Sequence, residues 1–161
     1  TSGLGGCHPM GLALAVARRG FHSEVWLNND QPLFLDGVRS EHKKEIMTTV
    51  HDHFVSQCQV QQLPLHYQPL TVADIEQYLR NDCAVIILVS TYRLDGKKSP
   101  HWVVVTGADE SCLFVHDPHV DEKEQQAAID CQAIPIAKED FDKMAAFGVQ
   151  RLRAAIVVSA K

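Results

Sequence analysis

In the stretch SPHWVVVTGADESCLFVHDP, residues 99 to 118, a histidine stands in front of one apolar run and an aspartate behind the next. If Trp102 to Gly107 and Ser111 to His116 pair through the short loop Ala108-Asp109-Glu110, then Gly107 faces Ser111 and His101 faces Asp117. Directly opposed residues on one sheet face have Cβ atoms about 4.5–5.5 Å apart. A carboxylate at that range holds an imidazole in one tautomer and stabilises its protonated form, which is what a catalytic base needs from its orienting partner. The same spacing equally suits a surface histidine satisfied by a neighbouring acid, so the pair speaks for catalysis only when a nucleophile joins it. A slip of one residue in the pairing would send the two to opposite faces. Pro100 and Pro118 cannot donate to a ladder, so they mark strand ends and put His101 and Asp117 at a rim.

Cys7 is the candidate nucleophile within the chain. It stands at the start of a helical segment, where backbone N–H groups and the helix dipole favour a thiolate. The plainer reading is a small buried thiol behind a glycine-shaped turn, GLGGC. His116, Asp117, His119 and Asp121 (HDPHVD), and separately His51 and His53, are residue types that ligate metals. Neither set has the spacing of a zinc site, and solvated histidines are the simpler reading, so no metal or other cofactor is expected. The glycines of SGLGG follow no strand and precede no lysine, which argues against a phosphate loop.

These residues need elements to hold them. His8 to Arg19 is dense in small and apolar side chains, has Pro9 near its start and ends at Gly20, which predicts a largely buried helix with a glycine cap. Glu24 to Leu27 alternates like a strand. Arg39 to Gln57 carries Ile46, Val50 and Phe54 at four-residue steps and reads as an amphipathic helix. Thr71-Val72-Ala73-Asp74 has the form of a capping box opening a helix that ends near Asn81. Ala84 to Ser90 is wholly apolar up to its last residue and should be a central strand. Tyr92 to Pro100 has turn chemistry at Asp95-Gly96. A polar loop from Asp121 to Asp130, an apolar step at Ile134 to Ile136, a helix near Glu139 to Ala146 and a strand from Leu152 to Val158 complete the chain. Helices lead and strands dominate the second half, the pattern of an α+β fold on a mainly antiparallel sheet.

Composition bounds the remaining possibilities. With 161 residues, 45% of them apolar, the chain can bury the core of a single domain, residues 1 to 161. A net charge of -5 without any basic cluster argues against nucleic acid as a partner. The longest apolar runs are of strand length, so no membrane span is expected. Five scattered cysteines without a CxxC pair suit a reducing, cytoplasmic setting better than a disulfide framework.

The segments GGCHPMGLALAVARRGF, LFLDGVRSEHKKEIMTTVHDHF, STYRLDGKKSPHWVVVTG, VHDPHVD and FDKMAAFGVQRLRAAIVVS together resemble the bacterial peptidase C-thirty-nine-like proteins, relatives of the cysteine peptidases that process bacteriocin leaders. The resemblance covers nearly the whole chain in order. It implies a papain-like fold and a Cys–His–Asp triad that hydrolyses peptide or amide bonds, with a glutamine upstream of the cysteine helping to form the oxyanion hole. His101 and Asp117 match the histidine and aspartate of that triad.

The front departs from the pattern. The family's glutamine and its Cys-Gly-Pro-Ala segment have no counterpart here, and GGCHPMGLALAVARRGF resembles the element after them. The resemblance therefore implies a nucleophile upstream of Thr1 and an N-terminally incomplete domain, inactive by itself, with Cys7 as the alternative nucleophile. The competing class is a non-catalytic module that binds a peptide or protein on the same scaffold. Apolar surface left uncovered by a missing first helix would favour a homo-oligomer.

Overall fold

A computed structural model of the chain describes residues 6–36, 38–92, 99–120 and 126–161. The apolar run predicted to be central forms β3 (Ala84–Ser90), the middle strand of a seven-stranded sheet. It suits that place because it can be covered on both sides. Val85, Ile87 and Val89 join one core cluster, and Ile86 and Leu88 pack into the other.

On one side of β3 lie β4 (Pro100–Ala108), β5 (Cys112–His116) and β6 (Ile134–Ala137). On the other lie β7 (Ala154–Ser159), β1 (His22–Leu27) and the two-residue β2 (Leu65–His66). The order is β2-β1-β7-β3-β4-β5-β6, and every pairing is antiparallel except the parallel contact of β1 with β2. The α+β class with a mostly antiparallel sheet is therefore as the sequence predicts.

Among the described residues, each face of the sheet carries two helices. α1 (Pro9–Ala17) and α2 (Glu41–Val60) contribute Met10, Ala13, Leu14 and Cys58 to a cluster with Val25, Leu27, Leu88 and Ile156. α3 (Val72–Arg80) and α4 (Lys138–Met144) supply Ile75, Phe141 and Met144 to the opposite cluster with Val103, Val105, Leu113 and Val115. Alternation along each strand assigns neighbours to opposite cores, the period of two that a sheet covered on both faces demands.

The termini of the helices follow local chemistry. α1 starts on Pro9 and gives way to Gly20 at φ +90°, a conformation that suits glycine. Thr71 and Asp74 form the expected capping box: Thr71 Oγ1 accepts from the Asp74 N–H at 3.2 Å, and the Thr71 N–H donates to Asp74 Oδ2 at 2.9 Å. α2 runs three residues beyond its predicted end and starts two residues later, because Ser40 accepts the Lys43 N–H as its N-cap. β2 and a 3-10 turn at Ala128–Cys131 carry too short a pattern to be foreseen.

The free edge at β6 is blunted by sequence. The Lys138 N–H donates to the Ser111 carbonyl at 3.0 Å, and the same antiparallel register turns Pro135 toward the open side, where its missing N–H offers nothing to an incoming strand. Among the described residues no helix is long and apolar enough to cross a membrane. The expected turn at Asp95-Gly96 and the Asp121 end of the polar loop lie outside the described residues.

Candidate active site

His101 follows Pro100 at the start of β4 and alternates with the buried Val103 and Val105, which assigns it to the face of α3 and α4. The expected pairing of Gly107 with Ser111 does not form. Asp109 accepts the backbone N–H groups of Ser111 at 2.8 Å and Cys112 at 2.6 Å, closing a longer loop, so Ala108 pairs with Leu113 and Gly107 with Phe114. These bonds also hold the Asp109 carboxyl below the usual carboxylate range. A bulge between Val105 and Gly107 then shifts the ladder to Val104 opposite His116.

Carried past the end of β5, this register sets Asp117 level with Val103 rather than His101. The two still share a face, and the contact is made diagonally: His101 Nε2 and Asp117 Oδ1 lie 2.7 Å apart. Their side chains are 23% and 22% exposed, mostly buried yet open to solvent on one side.

Asp117 is itself fixed. Its Oδ1 also accepts the His119 N–H at 2.8 Å, an Asx turn across Pro118, while its own N–H donates to the Cys131 carbonyl at 2.8 Å. An ionised carboxylate only accepts, so a neutral imidazole at His101 would donate through Nε2 and keep the lone pair on Nδ1, which has no hydrogen-bond partner among the described residues. Chemically, such an arrangement can serve as a general base with an orienting acid. The ring of His119 stands edge-on to His101 with centroids 6.4 Å apart.

Cys7 lies close in the chain's fold but on the far side of β4. The indole N–H of Trp102 donates to the Cys7 carbonyl at 3.1 Å, and Trp102 packs against the core of α1 and α2. α1 begins at Pro9 with His8 as its N-cap, so Cys7 precedes the helix instead of sitting in its first turn. Among the described residues no hydrogen bond joins the Cys7 thiol to His101.

The histidines considered as metal ligands separate. His51 is 3% exposed and meets His8, with His8 Nε2 and His51 Nδ1 3.3 Å apart, whereas His53 is exposed. His116 pairs with Val104 and alternates away from Asp117, and Asp121 lies outside the described residues. Among the described residues no three His, Cys, Asp or Glu side chains are grouped to hold a metal.

Sequence reasoning missed a second histidine–carboxylate pair. His66 Nε2 lies 2.9 Å from Glu24 Oε2, and the His66 ring stacks on Trp26 at 4.1 Å. Trp26 Nε1 and Tyr78 also hydrogen-bond Glu24, and with His66 they hold its carboxyl below its ordinary value against the opposing effect of burial. The nearby Cys83 thiol is pushed up by burial and by the Glu24 charge, the reverse of nucleophile activation. Nothing in the spacing of Glu24, His66 and Tyr78 signals this cluster, because it depends on β2 pairing with β1 in register Trp26 opposite His66.

A family model described as Peptidase_C39 like family matches residues 1–159. No curated protein and no solved structure matches the chain.

Proposed function

The chain belongs to the Peptidase_C39 like family, and on that premise we propose that it forms the base half of a papain-like thiol peptidase, a single domain that hydrolyses peptide or amide bonds. The observation that carries this reading is His101 held through Nε2 by an aspartate that is itself fixed, with Nδ1 left free. In this scheme Nδ1 takes the proton of a cysteine thiol as the sulfur attacks the substrate carbonyl. The protonated His101 then gives that proton to the leaving amine, and water cleaves the resulting thioester with His101 again as base. Asp117 does not take up the proton; it stabilises the imidazolium and keeps the ring turned.

The resemblance implies a nucleophilic cysteine in a glutamine-containing segment, and Cys7 is the alternative within this chain. A second reading, a peptide- or protein-binding module without catalysis, is favoured by the thiols themselves. Cys131 is the cysteine in contact with the backbone of Asp117, and burial together with the Asp117 and Asp130 charges pushes its thiol up, away from the thiolate.

A thiol-directed electrophile at neutral pH, with the modified cysteine located by mass spectrometry, separates these readings. Fast labelling of Cys7 that collapses in His101→Ala makes Cys7 the nucleophile. Fast, His101-dependent labelling of an upstream cysteine in a longer parent chain supports the preferred scheme. Slow labelling indifferent to His101 in both chains sinks the peptidase reading and leaves binding.

A further inference from the structure

The turn that carries Asp117 is tied to the rest of the molecule by one residue from two directions. The Cys131 carbonyl accepts the Asp117 N–H at 2.8 Å, and the Cys131 thiol donates to the His119 carbonyl at 3.3 Å. Asp117 and His119 are the two ends of the Asx turn, so one side chain and its own backbone bracket it. Cys131 is 2% exposed and closes the 3-10 turn Ala128–Cys131. That turn is pinned at its start, where Asp130 Oδ2 accepts the Ala127 N–H at 2.8 Å. The clamp is thus built on a local structure that does not depend on the Asp117 side chain.

What the clamp governs is the aim of one oxygen. Asp117 Oδ1 accepts from both His101 Nε2 and the His119 N–H, so its direction is set by where the His119 amide lies. The thiol reaches the carbonyl at the other end of that same residue. β5 ends at His116, so no ladder bond of the strand itself holds Asp117 or His119 in place. A shift of the turn would lengthen the 2.7 Å contact to His101 before it disturbed the sheet.

We propose that Cys131 is a positioning residue, acting through the 117–119 turn to keep Asp117 aimed at His101 and so to hold His101 as the Nε2–H tautomer. This deepens the peptidase reading and rests on it for its functional meaning, but its physical content can be tested without any substrate. The thiol is not the nucleophile in this role; it is a donor that orders a turn.

The test is nitrogen-15 NMR of the ring nitrogens of His101, at the alkaline end of its titration, in wild type, Cys131→Ala and Cys131→Ser. In wild type one ring nitrogen should report as protonated and the other as bare. Cys131→Ala should draw the two resonances together as the tautomers mix, and Cys131→Ser, whose hydroxyl donates to the same carbonyl, should restore much of the separation. A Cys131→Ala spectrum with the wild-type separation overturns the proposal. Should that variant not fold, hydrogen exchange of the wild type decides: the Asp117 and His119 amides should exchange about two- to tenfold more slowly than unbonded amides, the scale of one hydrogen bond. Exchange at the unbonded rate overturns the clamp. If Cys131 sets the tautomer while His101→Ala leaves thiol reactivity unchanged in both the present and the longer chain, the positioning inference stands and the catalytic reading falls.

Discussion

The imidazoles of His8 and His51 meet edge to face where α1 and α2 pack, with Nε2 of the first 3.3 Å from Nδ1 of the second. His8 also stacks on Phe54, and its Nδ1 is buried with no hydrogen-bond partner among the described residues. A neutral pair can share one proton in such a contact, whereas two imidazolium rings would repel.

Acid should therefore loosen the α1–α2 join. Burial, and then the neighbouring His51, lower His8 from 6.5 to about 4. The unfolded chain binds the extra proton first, so stability is full above about pH 6.5 and declines as pH falls toward 4. The gap corresponds to roughly 3 kcal/mol, and nearer 2 after allowing for the part of the ring that stays exposed. Urea midpoints at several values between pH 7 and pH 4 should fall more steeply for wild type than for His8→Gln; parallel curves would refute the assignment.

On the opposite face of the sheet, the Glu24 carboxylate gathers Trp26, His66 and Tyr78 and so joins α3 to β1 and β2. Tyr78→Phe removes one donor and should cost about 1 kcal/mol in chemical denaturation. It should also move the Glu24 carboxyl upward, visible in its NMR titration. Stability supplied by this carboxylate is present above its unfolded value of 4.5 and lost as pH falls through its lowered folded value, so the variant's deficit should shrink in acid. A deficit that stays constant with pH would mean that the Tyr78 contact is only packing.

The cysteines should sort by environment under alkylation. Burial raises Cys58 to about 11, and Cys131 is likewise buried and raised. Both should stay unmodified in the native chain and react only after unfolding, while the partly exposed Cys7 and Cys112 label first. Rapid native labelling of Cys58 would show that α2 separates from the sheet under ordinary conditions.

Much of this fold is legible because it rests on local patterns. The apolar run at Ala84–Ser90, the capping box at Thr71 and the Pro9 helix start each state their structure within a few residues. The contact between His101 and Asp117 is legible in the sequence, and its register is not. His101 and Asp117 do meet, but across a bulge and a longer loop that Asp109 creates by capturing two backbone N–H groups, so the contact is diagonal instead of directly opposed. The Cys131 clamp and the Glu24 cluster were illegible for a different reason. Each joins residues brought together only by the fold, one through a carbonyl and a thiol and the other through a two-residue strand. Such contacts leave no periodicity to read.

The last expectation concerns what kind of group position 117 requires. Because Asp117 Oδ1 accepts from two donors, an amide oxygen at the same place would be turned toward both by the His119 N–H and the His101 Nε2–H, with its NH2 directed away. Asp117→Asn should then preserve the His101 tautomer and lose only the charge that stabilises the imidazolium. Asp117→Ala loses the acceptor as well and frees the ring. If His101 is the general base of the proposed peptidase, His101-dependent thiol alkylation or hydrolysis should fall by about 10²–10⁴ in Asp117→Ala and by distinctly less in Asp117→Asn. Equal losses in the two variants would mean that charge, not orientation, is what Asp117 supplies. No loss in either would remove Asp117 from the reaction.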